Sequence, residues 1–316
     1  MNVVSLFCGI GGLDKGFIDA GYRIIWANDF DEFASDTYDA NYDIKVTRGD
    51  INAIPLESIP AHDVLIGGFP CQPFSMMGGQ KGFEDTRGTL FFRIAEILDY
   101  QIKNGRKPKV VVLENVRRLK THDGGRTYKT IKRVLENDLG YKVFDMVLNS
   151  ADYGVPQTRN RMFIVCFANK RITDFNPPEK VDLELTLQDV LEKDVSDKYY
   201  LSDRILKTIL SNGTGGYEAK SEIDLKVARP LCATMAKMHR ACQDNYVTQE
   251  KGVRRLTPRE CSRLQGFDMA DGDAFVIPVS DAQAYKQFGN AVTVNVARAV
   301  ALAIRSKLES IGDWVD

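Results

Sequence analysis

The residues with the most chemical potential fall in three short segments. In Gly67-Gly68-Phe69-Pro70-Cys71-Gln72-Pro73-Phe74-Ser75 a thiol stands between two prolines, just past a β-rich run. A thiolate is a strong nucleophile, although a lone cysteine is more often a small buried apolar side chain. Here the loop is polar and stiffened, and it opens onto Met76-Met77-Gly78-Gly79-Gln80-Lys81-Gly82, a glycine-punctuated stretch able to close over a substrate. The apolar run Val110-Val111-Val112-Leu113 ends in Glu114-Asn115, which sets a carboxylate at the end of a strand, where capping is the ordinary alternative. In Gln157-Thr158-Arg159-Asn160-Arg161 the two arginines are two residues apart, so an extended backbone puts both on one face. Such a pair can hold a phosphate or a base oxygen, or simply face solvent.

A fourth segment points to a bound ligand. Leu6-Phe7-Cys8-Gly9-Ile10-Gly11-Gly12 follows a β-rich run and precedes a helical one, so its glycines allow close approach of the backbone to a ligand at a helix N-terminus. It is not the dinucleotide pattern G-x-G-x-x-G, because Asp14 stands where the third glycine would fall. Asp29 lies about twenty residues on, the place for a carboxylate that accepts from ribose hydroxyls, and Phe30 beside it can stack on an adenine ring. A turn acid and a core aromatic are the alternatives.

The elements that must position these groups read as strand alternating with helix. Residues 3–7, 23–27, 63–67, 110–114, 143–148 and 161–167 are β-rich, and residues 13–20 and 90–102 repeat apolar side chains every three to four positions. Alternation of this kind predicts a mostly parallel sheet covered on both faces, with ligand sites along the C-terminal strand edge. Past Lys170 the texture changes. Asn176-Pro177-Pro178 breaks the pattern, and Asn212-Gly213-Thr214-Gly215-Gly216 signals a loop, so a second domain is expected there. Residues 294–308 return to an apolar helical period that can pack back onto the first domain.

Composition narrows the classes. At 316 residues the chain can bury a substantial core without disulfides or metals. Its six cysteines form no C-x-x-C pair and none is closely spaced with the three histidines, so no metal site is expected. No signal sequence or membrane-length apolar run is present, which makes a reducing cytoplasm the expected setting, with no membrane partner. A net charge of −1 offers no general attraction to nucleic acid, but basic residues cluster at 103–109, 117–120 and 254–263. Each cluster is either one side of a polarised surface or a solvated helix face.

Together these segments resemble the DNA cytosine-5 methyltransferases of bacterial restriction-modification systems, over nearly the whole chain and in the expected order. Residues 7–12 resemble that family's cofactor loop, 68–75 its nucleophile loop, Glu114-Asn115-Val116 its acidic motif and 157–161 its arginine motif. Residues 255–267 resemble the motif that supports the recognition domain, and Tyr285-Lys286-Gln287-Phe288-Gly289-Asn290-Ala291-Val292 the closing cofactor motif. The sequence departs from common family usage at Asp29, where many relatives carry Glu, and at Ala291, where many carry Ser.

The resemblance implies an α/β, Rossmann-like S-adenosylmethionine-dependent methyltransferase fold, made by residues 1–185 and 285–316, with a target-recognition domain and hinge at 186–284. It implies transfer of a methyl group from S-adenosyl-L-methionine to carbon 5 of a cytosine in double-stranded DNA. The target base is expected to be flipped out of the duplex. Cys71 would add to carbon 6, Glu114 would hold ring nitrogen 3 and the amino group, and Arg161 the oxygen at carbon 2. Arg159 would support the loop or bind phosphate. Phe7, Gly9, Gly11 and Gly12 would surround the methionine part of the cofactor, Asp29 and Phe30 its ribose and adenine, and Asp50 with Ile51 the adenine edge. Leu90 and Asn290 complete that set. Tyr217 is a candidate to fill the gap left by the base, and Ala233-Thr234-Met235 with residues 237–240 to read base edges. The resemblance further implies a monomer, nucleoid-associated, functionally paired with a restriction endonuclease without a stable complex. The alternatives are a tRNA cytosine-5 methyltransferase and a non-catalytic nucleic-acid-binding relative.

Overall fold

The computed structural model describes residues 1–70, 90–211, 213–214, 217–218, 222–240, 242–268 and 274–314. Cys71, the 76–79 lid and the 215–216 turn lie outside the described residues. In chain order the elements are β1 (Asn2–Leu6), α1 (Gly12–Asp19), β2 (Arg23–Asp29), α2 (Glu32–Asp39), β3 (Thr47–Arg48), β4 (Val64–Gly68), α3 (Leu90–Lys103), β5 (Val110–Val116), α4 (Arg126–Arg133), β6 (Lys142–Asn149), β7 (Asn160–Phe167), α5 (Asp203–Leu210), β8 (Gly213–Thr214), β9 (Tyr217–Glu218), β10 (Tyr246–Gln249), β11 (Gly252–Arg255), α6 (Pro258–Leu264), α7 (Asp281–Asn290) and α8 (Val294–Ser310).

Seven strands form one sheet in the order β3-β2-β1-β4-β5-β7-β6. Pairings from β3 through β5 are parallel, and β7 runs antiparallel to both β5 and β6. The sheet is therefore mostly parallel, as its strand-helix alternation predicts. Alternate residues along each strand feed two cores. Val3, Val110 and Val112 pack with Phe17 of α1 and with Ala297, Val300 and Ile304 of α8. On the other face Val4, Val111 and Leu113 pack with Phe91, Ile94 and Leu98 of α3 and Ile131 of α4. Helix α8 thus covers the face that α1 begins. A β-carbon on Gly16 would lie 2.5 Å from Ala297 Cβ, so the close crossing of these two helices requires glycine there.

The expected strand at 3–7 ends one residue early. Phe7 has φ 54°, a left-handed conformation no strand accommodates, and it turns the chain away at the sheet edge. Strand β3 has two residues, too few to leave a periodic signal.

Beyond the sheet a third core gathers Leu187, Ala228, Leu231, Val247, Leu256, Phe267 and Phe288. It also takes in Ile10 and Ala34 from the first part of the chain. The expected domain boundary between residues 284 and 285 falls inside α7, and Ala284 and Tyr285 on either side of it are both buried in this core. In the same part of the chain Arg254 and Glu260, both with 0% side-chain exposure, form a two-pronged ion pair with contacts of 2.8 and 2.6 Å. Glu260 also caps α6 with Thr257 and accepts from the backbone N–H of Glu192. The basic run at 254–263 is therefore not a solvated patch. Arg254 is inside, Arg259 pairs with Asp268, and Arg255 and Arg263 donate to the carbonyls of Met235 and Val190.

Candidate active site

The C-terminal ends of β1, β2, β4 and β5 open onto one cleft of about 790 Å³. The direction of β7 decides what meets there. Because it opposes β5, its first residues reach the same edge as the last residues of β5, and Val116 pairs with Arg161. An acid that ends one strand and an arginine that begins another can meet only when the two strands run in opposite senses.

Glu114 and Arg161 do meet. Arg161 Nε lies 3.0 Å from Glu114 Oε1, with side-chain exposures of 20% and 10%. Burial pushes the Glu114 carboxyl above its ordinary range, and the guanidinium groups of Arg161 and Arg159 pull the other way without cancelling it. Gly68, opposite Glu114 in the register, leaves room for the carboxylate, since a β-carbon there would stand 3.1 Å from Glu114 Oε2. Asn115 does not cap a helix. Its Nδ2 donates to Phe69 O at 2.8 Å, which fastens the end of β4 immediately before Pro70. Pro70 lines the cleft. Cys71 follows it in the chain, outside the described residues.

Of the two roles expected of Arg159, its contacts agree with support of the loop and not with phosphate binding. It is 1% exposed, and its guanidinium donates to the carbonyls of Leu231, Gly289 and Ala291 at 2.9, 2.9 and 2.8 Å. That leaves no open face for a phosphate. Alternation along an extended segment placed Arg159 and Arg161 on one face, but the backbone enters β7 between them, and only Arg161 lines the cleft. Arg159 is a positioning residue that joins the loop at 231 to the loop at 289–291.

Of the residues expected at the cofactor, Phe7, Gly9, Gly12, Asp29, Phe30, Asp50, Ile51, Leu90 and Asn290 line the cleft. Gly11 does not. It has φ +82°, and its missing side chain admits the ring of Tyr42, whose Cε2 would stand 2.5 Å from a β-carbon there. Asp29 accepts from the backbone N–H of Gly9 and of Asp31, both at 2.8 Å, and burial raises its carboxyl pKa. Each carboxylate oxygen has a second lone pair for a ribose hydroxyl. Asp50 Oδ1 accepts from Asn52 N at 2.9 Å.

These residues fit S-adenosylmethionine. Gly9, at φ +55°, has nothing within 4 Å of where a β-carbon would sit, so the cleft holds open space directly against its backbone. Phe30 is 72% exposed, and Asp29 and Asp50 line the same cleft. A cleft that combines apolar walls with acids such as Asp29 and Asp50 suits an adenosine bearing a cationic sulfonium.

Several further residues shape the cleft through contacts that are not local in the sequence. Asn28 donates to the carbonyls of Thr47 and Gly49 at 2.7 and 3.0 Å, and so fixes the short β3 and the approach to Asp50. Lys286 pairs with Asp31, and Gln287 bonds Thr37 and Phe33, which ties α7 to α2. Gln157 donates to Leu264 O and accepts from Leu231 N. Lys286, Gln287 and Gln157 stand inside motifs legible in the sequence, but their partners are too distant in the chain to be inferred from it.

Comparison with known proteins agrees with this geometry at two levels. The fold is that of solved methyltransferases. An Entamoeba histolytica methyltransferase, EhMeth, superimposes with a TM-score of 0.77 at 20% identity, covering 98% of each chain. The Schizosaccharomyces pombe Dnmt2 methyltransferase gives 0.74 at 18%, covering 98% of this chain and 99% of the other. By sequence, residues 1–306 match the family described as C-5 cytosine-specific DNA methylase. The type II methyltransferase M.NlaX of Neisseria lactamica is 39% identical over 99% of this chain and 98% of its own. M.HpaII of Haemophilus parainfluenzae is 40% identical over 98% and 90%. M.HhaI of Haemophilus parahaemolyticus is 36% identical over 98% and 95%. The chain belongs to the C-5 cytosine-specific DNA methylase family. It is an S-adenosylmethionine-dependent enzyme that methylates carbon 5 of cytosine in DNA.

Proposed function

We propose that the chain methylates a cytosine within a specific double-stranded sequence through a covalent Cys71 adduct, with Glu114 and Arg161 holding the flipped-out base. The observation that carries this reading is the half-buried Glu114–Arg161 pair at the same sheet edge as Pro70. Carbon 5 of cytosine is a weak nucleophile in a neutral aromatic ring. Formation of a bond from the Cys71 sulfur to carbon 6 moves electrons toward carbon 5 and nitrogen 3, which turns carbon 5 into an enamine-like centre. Burial raises the Glu114 carboxyl pKa and so favours its protonated form, and in that form Glu114 donates to nitrogen 3 as negative charge builds there. Arg161 fixes Glu114 and reaches toward the oxygen at carbon 2. S-adenosylmethionine, when bound, supplies an electrophilic methyl group. Once carbon 5 is methylated, its proton departs to a base or water, the carbon–sulfur bond breaks, and Glu114 recovers its proton.

Phe7, Gly9 and Gly12 then surround the methionine part of the cofactor, with Asp29, Phe30, Asp50, Ile51, Leu90 and Asn290 around its nucleoside. Gly11 contributes by admitting Tyr42. Residues 186–284 read the target sequence, with Tyr217 as the filler of the vacated stack. Exposed Arg117 and Arg118, directly after the cleft residue Val116, meet backbone phosphates. The enzyme acts as a nucleoid-associated monomer, paired in function with an endonuclease, as the type II names of its relatives support. Among the described residues no helix is long and apolar enough to cross a membrane.

The test offers labelled cofactor with duplex DNA or with tRNA, followed by bisulfite sequencing of the duplex. Wild type is expected to label duplex DNA, and Cys71→Ala to lose at least about a hundredfold in rate. A duplex carrying 5-fluorocytosine should trap the protein covalently. Methylation by Cys71→Ala at the wild-type rate would refute the covalent route.

A further inference from the structure

Asp14 is a buried acid that the reaction does not use. It occupies the third position of α1, where an acidic side chain commonly serves the helix end, yet it turns inward. Its exposure is 0%, and each carboxylate oxygen takes one hydroxyl: Ser5 Oγ on β1 at 2.9 Å and Tyr38 Oη on α2 at 2.9 Å. Burial pushes its carboxyl up to about 6 against those two donors. Both hydroxyls donate to it, so the Asp14 carboxyl orients Ser5 on β1 and Tyr38 on α2.

The contacts continue to the glycine loop. The ring of Tyr38 lies 4.3 Å from that of Tyr42, just past α2. Tyr42 Oη donates to Gly11 O at 2.9 Å, and its ring fills the space that Gly11 leaves. Gly9 and Gly12, on the same loop, line the cleft. The loop thus lies between the cleft and a polar cluster drawn from β1, α1 and α2, with Cys8 and Asp29 as the other titratable neighbours of that cluster.

We propose that Asp14 is a positioning residue for cofactor binding, which fixes residues 9–12 from behind through Tyr38 and Tyr42. The inference rests on the reading of those residues as the cofactor loop. The position that breaks the dinucleotide glycine pattern then has a purpose: an acid replaces the glycine and anchors the loop to a neighbouring helix.

The test uses the full chain and measures S-adenosylmethionine binding by calorimetry, with steady-state kinetics in cofactor and in DNA separately. Asp14→Ala and Tyr42→Phe should each weaken cofactor binding roughly fivefold or more, the scale of one buried hydrogen bond. Asp14→Asn, which keeps one acceptor oxygen, should lie between Asp14→Ala and wild type. KM for DNA, and kcat at saturating cofactor, should stay within about twofold of wild type. Cofactor affinity within about twofold of wild type in Asp14→Ala or in Tyr42→Phe overturns the proposal, as does an equal loss of DNA binding. If Asp14→Ala does not fold, Tyr42→Phe decides alone. Gly9→Val separates the two readings, because it fills the open space in the cleft. Undiminished cofactor binding by Gly9→Val refutes the loop assignment. Loss in Gly9→Val with retention in the other variants refutes only the role of Asp14.

Discussion

At the scale of single residues, Glu114 links chemistry to stability. Its pKa is raised in the folded protein, so the folded state holds the proton more tightly than the unfolded chain does. The sign follows. Above the raised value both states are ionised and folding bears the full penalty of a buried charge. As pH falls from the raised value to the ordinary carboxylate value, the penalty disappears and stability rises. Glu114→Gln removes the titration. Its stability in urea should therefore lose this dependence on pH, while kcat falls by about a hundredfold or more through loss of the proton donor. An unchanged pH dependence of stability, or an unchanged kcat, would contradict this. Glu114 and Arg161 stand out in the sequence because a charged residue at either end of an apolar run has few purposes, and the structure brings the two together at the cleft. The burial of Arg159 was not legible, because its acceptors at 231, 289 and 291 are brought in by folding from 72 to 132 residues away.

At the scale of elements, most strands could be read from the sequence because a sheet covered on both faces needs continuous apolar runs, and Val110 to Leu113 are all 0% exposed. Strand sense could not. Nothing local in residues 160–167 distinguishes a parallel from an antiparallel strand, yet the reversal of β7 is what brings Arg161 to Glu114. The turn after β5 carries a prediction. Arg117 and Arg118 are exposed directly after the cleft residue Val116 and have no ion-pair partner among the described residues, whereas Lys120 in the same turn is held by Asp145. Replacing both arginines with Ala should lower duplex affinity and reduce the slope of log K against log salt by roughly 1 to 2, with cofactor affinity unchanged. An unchanged slope would remove them from the DNA interface.

At the scale of the whole molecule, the third core joins the later part of the chain, α7 included, to the loop after β1 and to α2, and the Arg254–Glu260 pair is fully buried. Glu260→Ala leaves a buried guanidinium without its counter-charge and should cost about 3–5 kcal/mol in urea unfolding. A loss below about 1 kcal/mol would mean that water or a rearranged partner replaces it. The run of arginines at 254–263 illustrates why sequence patterning misleads here, since a charge cluster reads as surface unless its acid is recognised, and Glu260 stands in the same helix turn as part of a cap. One feature of this arrangement bears on synthesis. A β-carbon on Gly12 would lie 2.2 Å from the carbonyl oxygen of Val292, so the two walls of the cleft touch although 280 positions separate them. A ribosome makes the first wall early and the second near the end of translation. A nascent chain that lacks residues 286–292 has only one wall of the cleft, so the cleft can close only after elongation has passed α7.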